Sequence, residues 1–220
     1  MVKKVGVLLA GCGVFDGTEI HEATLTLYFL DREGADSLYV APDNLQHHVI
    51  DHQASSVTKE KRNVLSESAR IARGQIQALS TVSSSDMDGL ILPGGFGAVK
   101  NLADYAIHGR DCTIDLDVQR LICDMVDAGK PVGAMCVAPV VVALALREKA
   151  VHPLLTIGND VSTAADIVHF GGRHQNATVD NIVRDEENKI VSTPAYMLGP
   201  SIAHVAKGIE KLVMQVVAWA

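Results

Sequence analysis

The chain has 220 residues, 48% of them hydrophobic and 20% charged, with a formal net charge of −7. That length supplies one substantial core, so a single domain over 1–220 is expected. The acidic balance leaves no excess of cations to neutralise nucleic-acid phosphates or an anionic membrane, which excludes both as expected partners and points to a small molecule.

The N-terminal Met1-Val2-Lys3-Lys4 leads straight into the apolar run Val5 to Ala10, too short for the apolar region of a signal peptide. The four cysteines, Cys12, Cys112, Cys123 and Cys136, form no C-x-x-C pair. This usage fits a reducing cytosol and speaks against disulfide staples or a structural zinc.

In chain order, Lys4 to Ala10 reads as a buried strand ending in Gly11-Cys12-Gly13, followed by an amphipathic helix from Thr18 to Glu33 that stops at Gly34. Ser37 to Ala41 is a second strand. Leu45 to Ser85 is polar, holds one helix over Arg62 to Arg73, and reads as an insertion ending in a Ser-rich loop. The strand Gly89 to Leu92 enters Pro93-Gly94-Gly95, and a helix over Asp115 to Ala128 ends at Gly129. Pro131 to Met135 is the next strand, then Cys136, then the apolar helix Pro139 to Leu146. Strands alternating with helices predict a parallel sheet covered on both faces. Near the end, strands over Thr178 to Val183 and Lys189 to Thr193 flank the turn Asp185 to Asn188, before a helix over Met197 to Trp219.

The residues with chemical potential gather at the carboxyl ends of these strands, where parallel sheets bind ligands. Cys136 stands where a buried strand turns into a helix, the geometry that exposes a nucleophile at an elbow. The adjoining helix N-terminus is expected to favour the thiolate and lower the thiol pKa. A buried structural cysteine closing a core strand is the alternative. The N–H of Gly94 or Gly95 is a candidate oxyanion donor together with that of Val137, unless Gly94-Gly95 merely makes a tight turn. Glu19 and Glu22 share one face of the first helix near its start. Either is placed to reach the crevice, or both simply complement the helix dipole.

Two other motifs fail on spacing. Gly11-Cys12-Gly13-Val14-Phe15-Asp16-Gly17 has its third glycine one residue late for a dinucleotide fingerprint. In His21-Glu22-Ala23-Thr24-Leu25 the second histidine of the zinc-protease motif is Leu25. No metal and no cofactor are expected.

Four segments, Val7 to Glu22, Leu92 to Ala98, Ala134 to Pro139 and Thr193 to Leu198, together resemble the ElbB glyoxalase family, also called the enhancing lycopene biosynthesis or sigma cross-reacting family. That family lies in the ThiJ/PfpI branch of the class I glutamine amidotransferase-like superfamily. The resemblance implies a flavodoxin-like α/β sandwich with a mostly parallel central sheet, a homodimer, and a nucleophilic Cys136 working with a glutamate of the first helix. By position Glu22 is the better match and Glu19 the competitor. Because Glu22 would be shielded from water beside a thiolate, its carboxyl is expected to stay protonated above the usual range.

The chain departs from the glutaminase members, which need a late histidine as base for thiol attack on an amide. Here that region reads Thr193-Pro194-Ala195-Tyr196, and Val137 follows the cysteine where PfpI-type proteins carry histidine. The resemblance therefore implies a glutathione-independent glyoxalase of the lyase type, turning glyoxal or a glycated adduct into glycolate. A non-catalytic or redox-sensing regulatory module linked to isoprenoid biosynthesis and a glutaminase subunit remain the alternatives.

Overall fold

The computed structural model describes residues 2–220. Its strands are β1 (Lys4–Leu8), β2 (Asp36–Ala41), β3 (Ile50–Asp51), β4 (Ser56–Val57), β5 (Gln77–Ala78), β6 (Gly89–Leu92), β7 (Val132–Met135), β8 (Leu154–Leu155), β9 (Arg173–His174), β10 (Val183–Asp185) and β11 (Ile190–Thr193). The helices are α1 (Ile20–Arg32), α2 (Val64–Ile71), α3 (Tyr105–His108), α4 (Leu116–Asp127), α5 (Ala138–Leu146), α6 (Val161–His169) and α7 (Ile202–Trp219).

Seven strands form the central sheet in the order β10-β11-β7-β6-β1-β2-β5. All pairings in it are parallel except the hairpin β10–β11. The fold is the expected flavodoxin-like α/β sandwich, and its two core layers follow from strand alternation. Leu90 and Leu92 of β6 face the side packed by α4, α5 and α6, while Ile91 faces the side packed by α1 and α7. Helix α5 is buried along its whole length, which explains why its sequence, Ala-Pro-Val-Val-Val-Ala-Leu-Ala-Leu, shows no polar face.

Differences from the sequence reading have local causes. The strand expected over Thr178 to Val183 begins only at Val183, because Thr178 and Asn181 close a turn of side-chain hydrogen bonds, Thr178 Oγ1 to Asp180 Oδ1 at 2.7 Å and Asn181 Nδ2 to Thr178 Oγ1 at 2.8 Å. The last helix starts at Ile202 instead of Met197, since Gly199-Pro200 interrupts it. Helix α6 and the short strands β3, β4, β5, β8 and β9 carried no readable period: α6 buries only Ile167, and each of those strands spans 2 residues. No helix among the described residues is long and apolar enough to cross a membrane.

Candidate active site

The carboxyl ends of β1, β6, β7 and β11 lie side by side at one edge of the sheet. Cys136 immediately follows β7 and adopts φ 60°, a left-handed conformation that costs a residue with a Cβ about 1–2 kcal/mol. Its N–H donates to the Thr193 carbonyl at 3.0 Å, and α5 begins at Ala138 with Pro139 in its first turn. The sheet and the helix thus fix a strained residue between them, the kind of outlier that marks a functional position.

Glu22 is 0% exposed and Cys136 8%. Both oxygens of the Glu22 carboxyl accept backbone hydrogen bonds, Oε2 from the Gly94 N–H at 2.8 Å and Oε1 from the Tyr196 N–H at 3.2 Å. The carboxyl also lies against the Cys136 thiol, near enough to act on its ionisation. Gly94 makes this meeting possible: a Cβ there would stand 2.4 Å from Cys136 Cβ, 2.7 Å from Glu22 Oε2 and 3.0 Å from Cys136 Sγ. A side chain at Gly94 would therefore fill the space in which thiol and carboxyl approach.

Glu19 takes a different place. As the N-cap of α1 it accepts the Glu22 N–H at 2.7 Å, so it fixes the start of the helix that presents Glu22. Of the two first-helix glutamates, the structure brings Glu22 to Cys136 and leaves Glu19 one turn away, acting on Glu22 through its charge.

The pKa shifts follow from this burial. Desolvation, and then the charge of Glu19, raise Glu22 from its ordinary 4.5 to about 7, against the pull of the two backbone donors. The Cys136 thiol is also pushed up, first by burial and then by the Glu22 charge. This corrects the sequence expectation of a lowered thiol pKa. The N–H groups of Gly95 and Val137 do favour the thiolate, but desolvation outweighs them. The two shifts have a common origin: burial disfavours either charge, and the Glu22 charge disfavours the thiolate beside it.

The expected oxyanion donors divide in two. The Gly94 N–H is engaged by Glu22, whereas those of Gly95 and Val137 both lie against the Cys136 sulfur. Gly95 has φ 93°, and a Cβ on it would sit 2.4 Å from the Glu19 nitrogen, so the loop after β6 is locked against the chain entering α1. The Glu19 N–H donates to the Gly94 carbonyl at 2.9 Å and the Gly97 N–H to that of Gly17 at 2.8 Å.

One contact was missed in the sequence. His21 Nδ1 lies 2.8 Å from the Tyr196 hydroxyl. His21 is exposed on α1 beside buried Glu22, and Tyr196 follows β11 in the turn that also holds Glu22. Both residues sit inside motifs that the sequence makes visible, but only folding joins them across 175 positions. A groove of about 570 Å³ lies beside this turn, lined by Asn159, Gln175, Asn176, Thr178 and Leu198, and does not include Cys136. No group of three or more His, Cys, Asp or Glu able to hold a metal occurs among the described residues.

With this geometry in view, the likeness to known proteins is specific. The human protein named glutamine amidotransferase-like class 1 domain-containing protein 3, mitochondrial, is 42% identical over 97% of this chain and 82% of its own length. The chain belongs to the family of class I glutamine amidotransferase-like proteins. The rat ES1 protein homolog, mitochondrial, is 41% identical over the same shares of the two chains. A crystal structure of an isoprenoid biosynthesis protein with an amidotransferase-like domain from Ehrlichia chaffeensis superposes with a TM-score of 0.91 at 34% identity, covering 99% of this chain and 100% of that one. The fold extends further, to Drosophila melanogaster DJ-1beta, with a TM-score of 0.58 at 20% identity over 100% of this chain and 96% of that one. No protein-family model matches the chain. The ES1 relatives bear a mitochondrial designation, which differs from the cytosol suggested by the cysteine pattern.

Proposed function

We propose that this chain is a cofactor-independent glyoxalase in which Cys136 adds to one carbonyl of a small 1,2-dicarbonyl and Glu22 moves the proton between its two carbons. The observation that carries this reading is the isolation of the Cys136 thiol with one buried carboxyl whose pKa lies at about 7. A general acid–base group is most effective with its pKa near the working pH.

As the Cys136 sulfur attacks C1 of glyoxal, its proton passes to the Glu22 carboxylate; the resulting alkoxide takes that proton and leaves a hemithioacetal beside a carboxylate. That carboxylate removes the C1 hydrogen as a proton to give an enediolate, then returns it to C2 while the proton of the C1 hydroxyl passes to the C2 oxygen. C1 is thereby oxidised to the thioester level while C2 is reduced to the alcohol. Water cleaves the thioester to glycolate and restores the thiol. The N–H groups of Gly95 and Val137, already against the sulfur, are the donors nearest the developing C1 oxyanion.

The glutaminase alternative loses support from the same geometry. The Glu22 carboxyl and the N–H groups of Gly95 and Val137 act on the Cys136 sulfur, and neither Val137 nor Thr193-Pro194-Ala195-Tyr196 supplies a histidine to serve as base for amide attack. A redox-sensing role is disfavoured as well, because a sensor thiol needs exposure and a lowered pKa. The test is conversion of glyoxal to glycolate by the purified chain, without metal or glutathione, followed by NMR, with Cys136→Ser as control. Turnover that survives Cys136→Ser overturns the reading.

A further inference from the structure

Converting a dicarbonyl hemithioacetal to a thioester moves two protons. One passes from carbon to carbon, the task given to Glu22; the other passes from the C1 hydroxyl to the C2 oxygen. Resting on the glyoxalase reading above, we propose that the Tyr196 hydroxyl carries this oxygen-to-oxygen proton and that His21 is the residue positioning it.

The placement supports both roles. The backbone N–H of Tyr196 is bound to Glu22 Oε1, so the residue is anchored on the proton-transferring carboxyl itself. Ala195, just before it, takes φ 43°, a left-handed conformation that turns the chain toward Glu22 at a cost in strain. The Tyr196 ring packs against the buried cluster that contains Cys136. Its hydroxyl meets His21 Nδ1 at 2.8 Å, and the two rings lie with centroids 5.8 Å apart.

With the imidazole in its Nδ1–H tautomer, His21 donates to the phenol oxygen and leaves the phenolic hydrogen free for the substrate. Burial and the charges of Glu19 and Glu22 raise the Tyr196 pKa, so the hydroxyl keeps its proton until a strongly basic oxygen is presented. The enediolate supplies that oxygen. Tyr196 gives its proton to O2, and the phenolate is stabilised by the His21 N–H. As Glu22 protonates C2, the C1 hydroxyl returns a proton to the phenolate and becomes the thioester carbonyl. Tyr196 ends protonated, and no external acid or base is consumed.

The test compares wild type, Tyr196→Phe, His21→Ala and His21→Asn on glyoxal, reading kcat, KM and the Cys136 adduct by intact mass. Tyr196→Phe is expected to keep adduct formation and KM while kcat falls about 100-fold, the low end of general acid–base contributions. His21→Ala should lower kcat, and His21→Asn, whose amide can still donate near the Nδ1 position, should restore most of it. Wild-type kcat in Tyr196→Phe overturns the proposal, as does equal loss of adduct formation and turnover, which would make Tyr196 structural. Equal kcat for His21→Asn and His21→Ala removes the positioning role. Wild-type protein forming neither adduct nor glycolate defeats the glyoxalase reading itself, whereas an active wild type with an unaffected Tyr196→Phe defeats only this one.

Discussion

The Glu22 carboxyl and the Cys136 thiol meet in the space that a side chain at Gly94 would occupy. Gly94→Ala should therefore push the pair apart and abolish turnover, with a stability loss of about 1–3 kcal/mol from overpacking. The control is Gly34→Ala, where φ is 69° but no atom lies within 4 Å of the added methyl. It should cost about 1–2 kcal/mol through backbone conformation alone and leave activity intact. Denaturant midpoints and glyoxal turnover separate the two effects.

The raised Glu22 pKa makes stability depend on pH in a definite sense. Its folded value of about 7 exceeds the ordinary 4.5, so the folded state holds this proton more tightly than the unfolded chain. The stabilisation is fully present below pH 4.5 and is lost as pH rises through 7. The gap corresponds to roughly 3 kcal/mol. Glu22→Gln removes this dependence but sets an amide NH₂ against the N–H of Gly94 or Tyr196, costing about 1–3 kcal/mol at every pH. Chemical unfolding at pH 5 and pH 8 should show wild type clearly ahead at the lower pH, with the difference shrinking or reversing at the higher. A constant difference would mean that Glu22 ionises normally in the fold.

Glu19 raises Glu22 by its charge while capping α1 through an oxygen that glutamine retains. Glu19→Gln should keep the cap and let Glu22 ionise more easily. The pH midpoint for glyoxal turnover should move toward acid, with a smaller change in maximal rate than Glu22→Gln produces. An unchanged midpoint would place the Glu19 charge out of effective reach.

Much of this arrangement was legible from residue order, and the remainder depended on distance in sequence. The elbow at Cys136 was readable because an apolar strand and an apolar helix abut there, and Gly94 because a glycine pair ends the neighbouring strand. The choice of Glu22 over Glu19 came from family resemblance, since helical spacing placed both on one face and only the chain entering at Glu19 shows which of them is the cap. The upward thiol shift is not legible locally, because the sequence displays the helix N-terminus but not the burial that outweighs it. His21 on α1 and Tyr196 after β11 meet where the Tyr196 N–H binds Glu22, with no local signal that they touch.

The central claim is that Cys136 bonds covalently to the substrate and that Glu22 then moves the proton. The most direct measurement is to mix glyoxal with wild type, Cys136→Ser and Glu22→Gln, quench, and locate covalent adducts by peptide mass while following glycolate by NMR. The account predicts glycolate from wild type, neither adduct nor product from Cys136→Ser, and a hemithioacetal on Cys136 of Glu22→Gln that accumulates without product. Glycolate formation by Glu22→Gln at the wild-type rate, or an adduct confined to Cys12, Cys112 or Cys123, would contradict it.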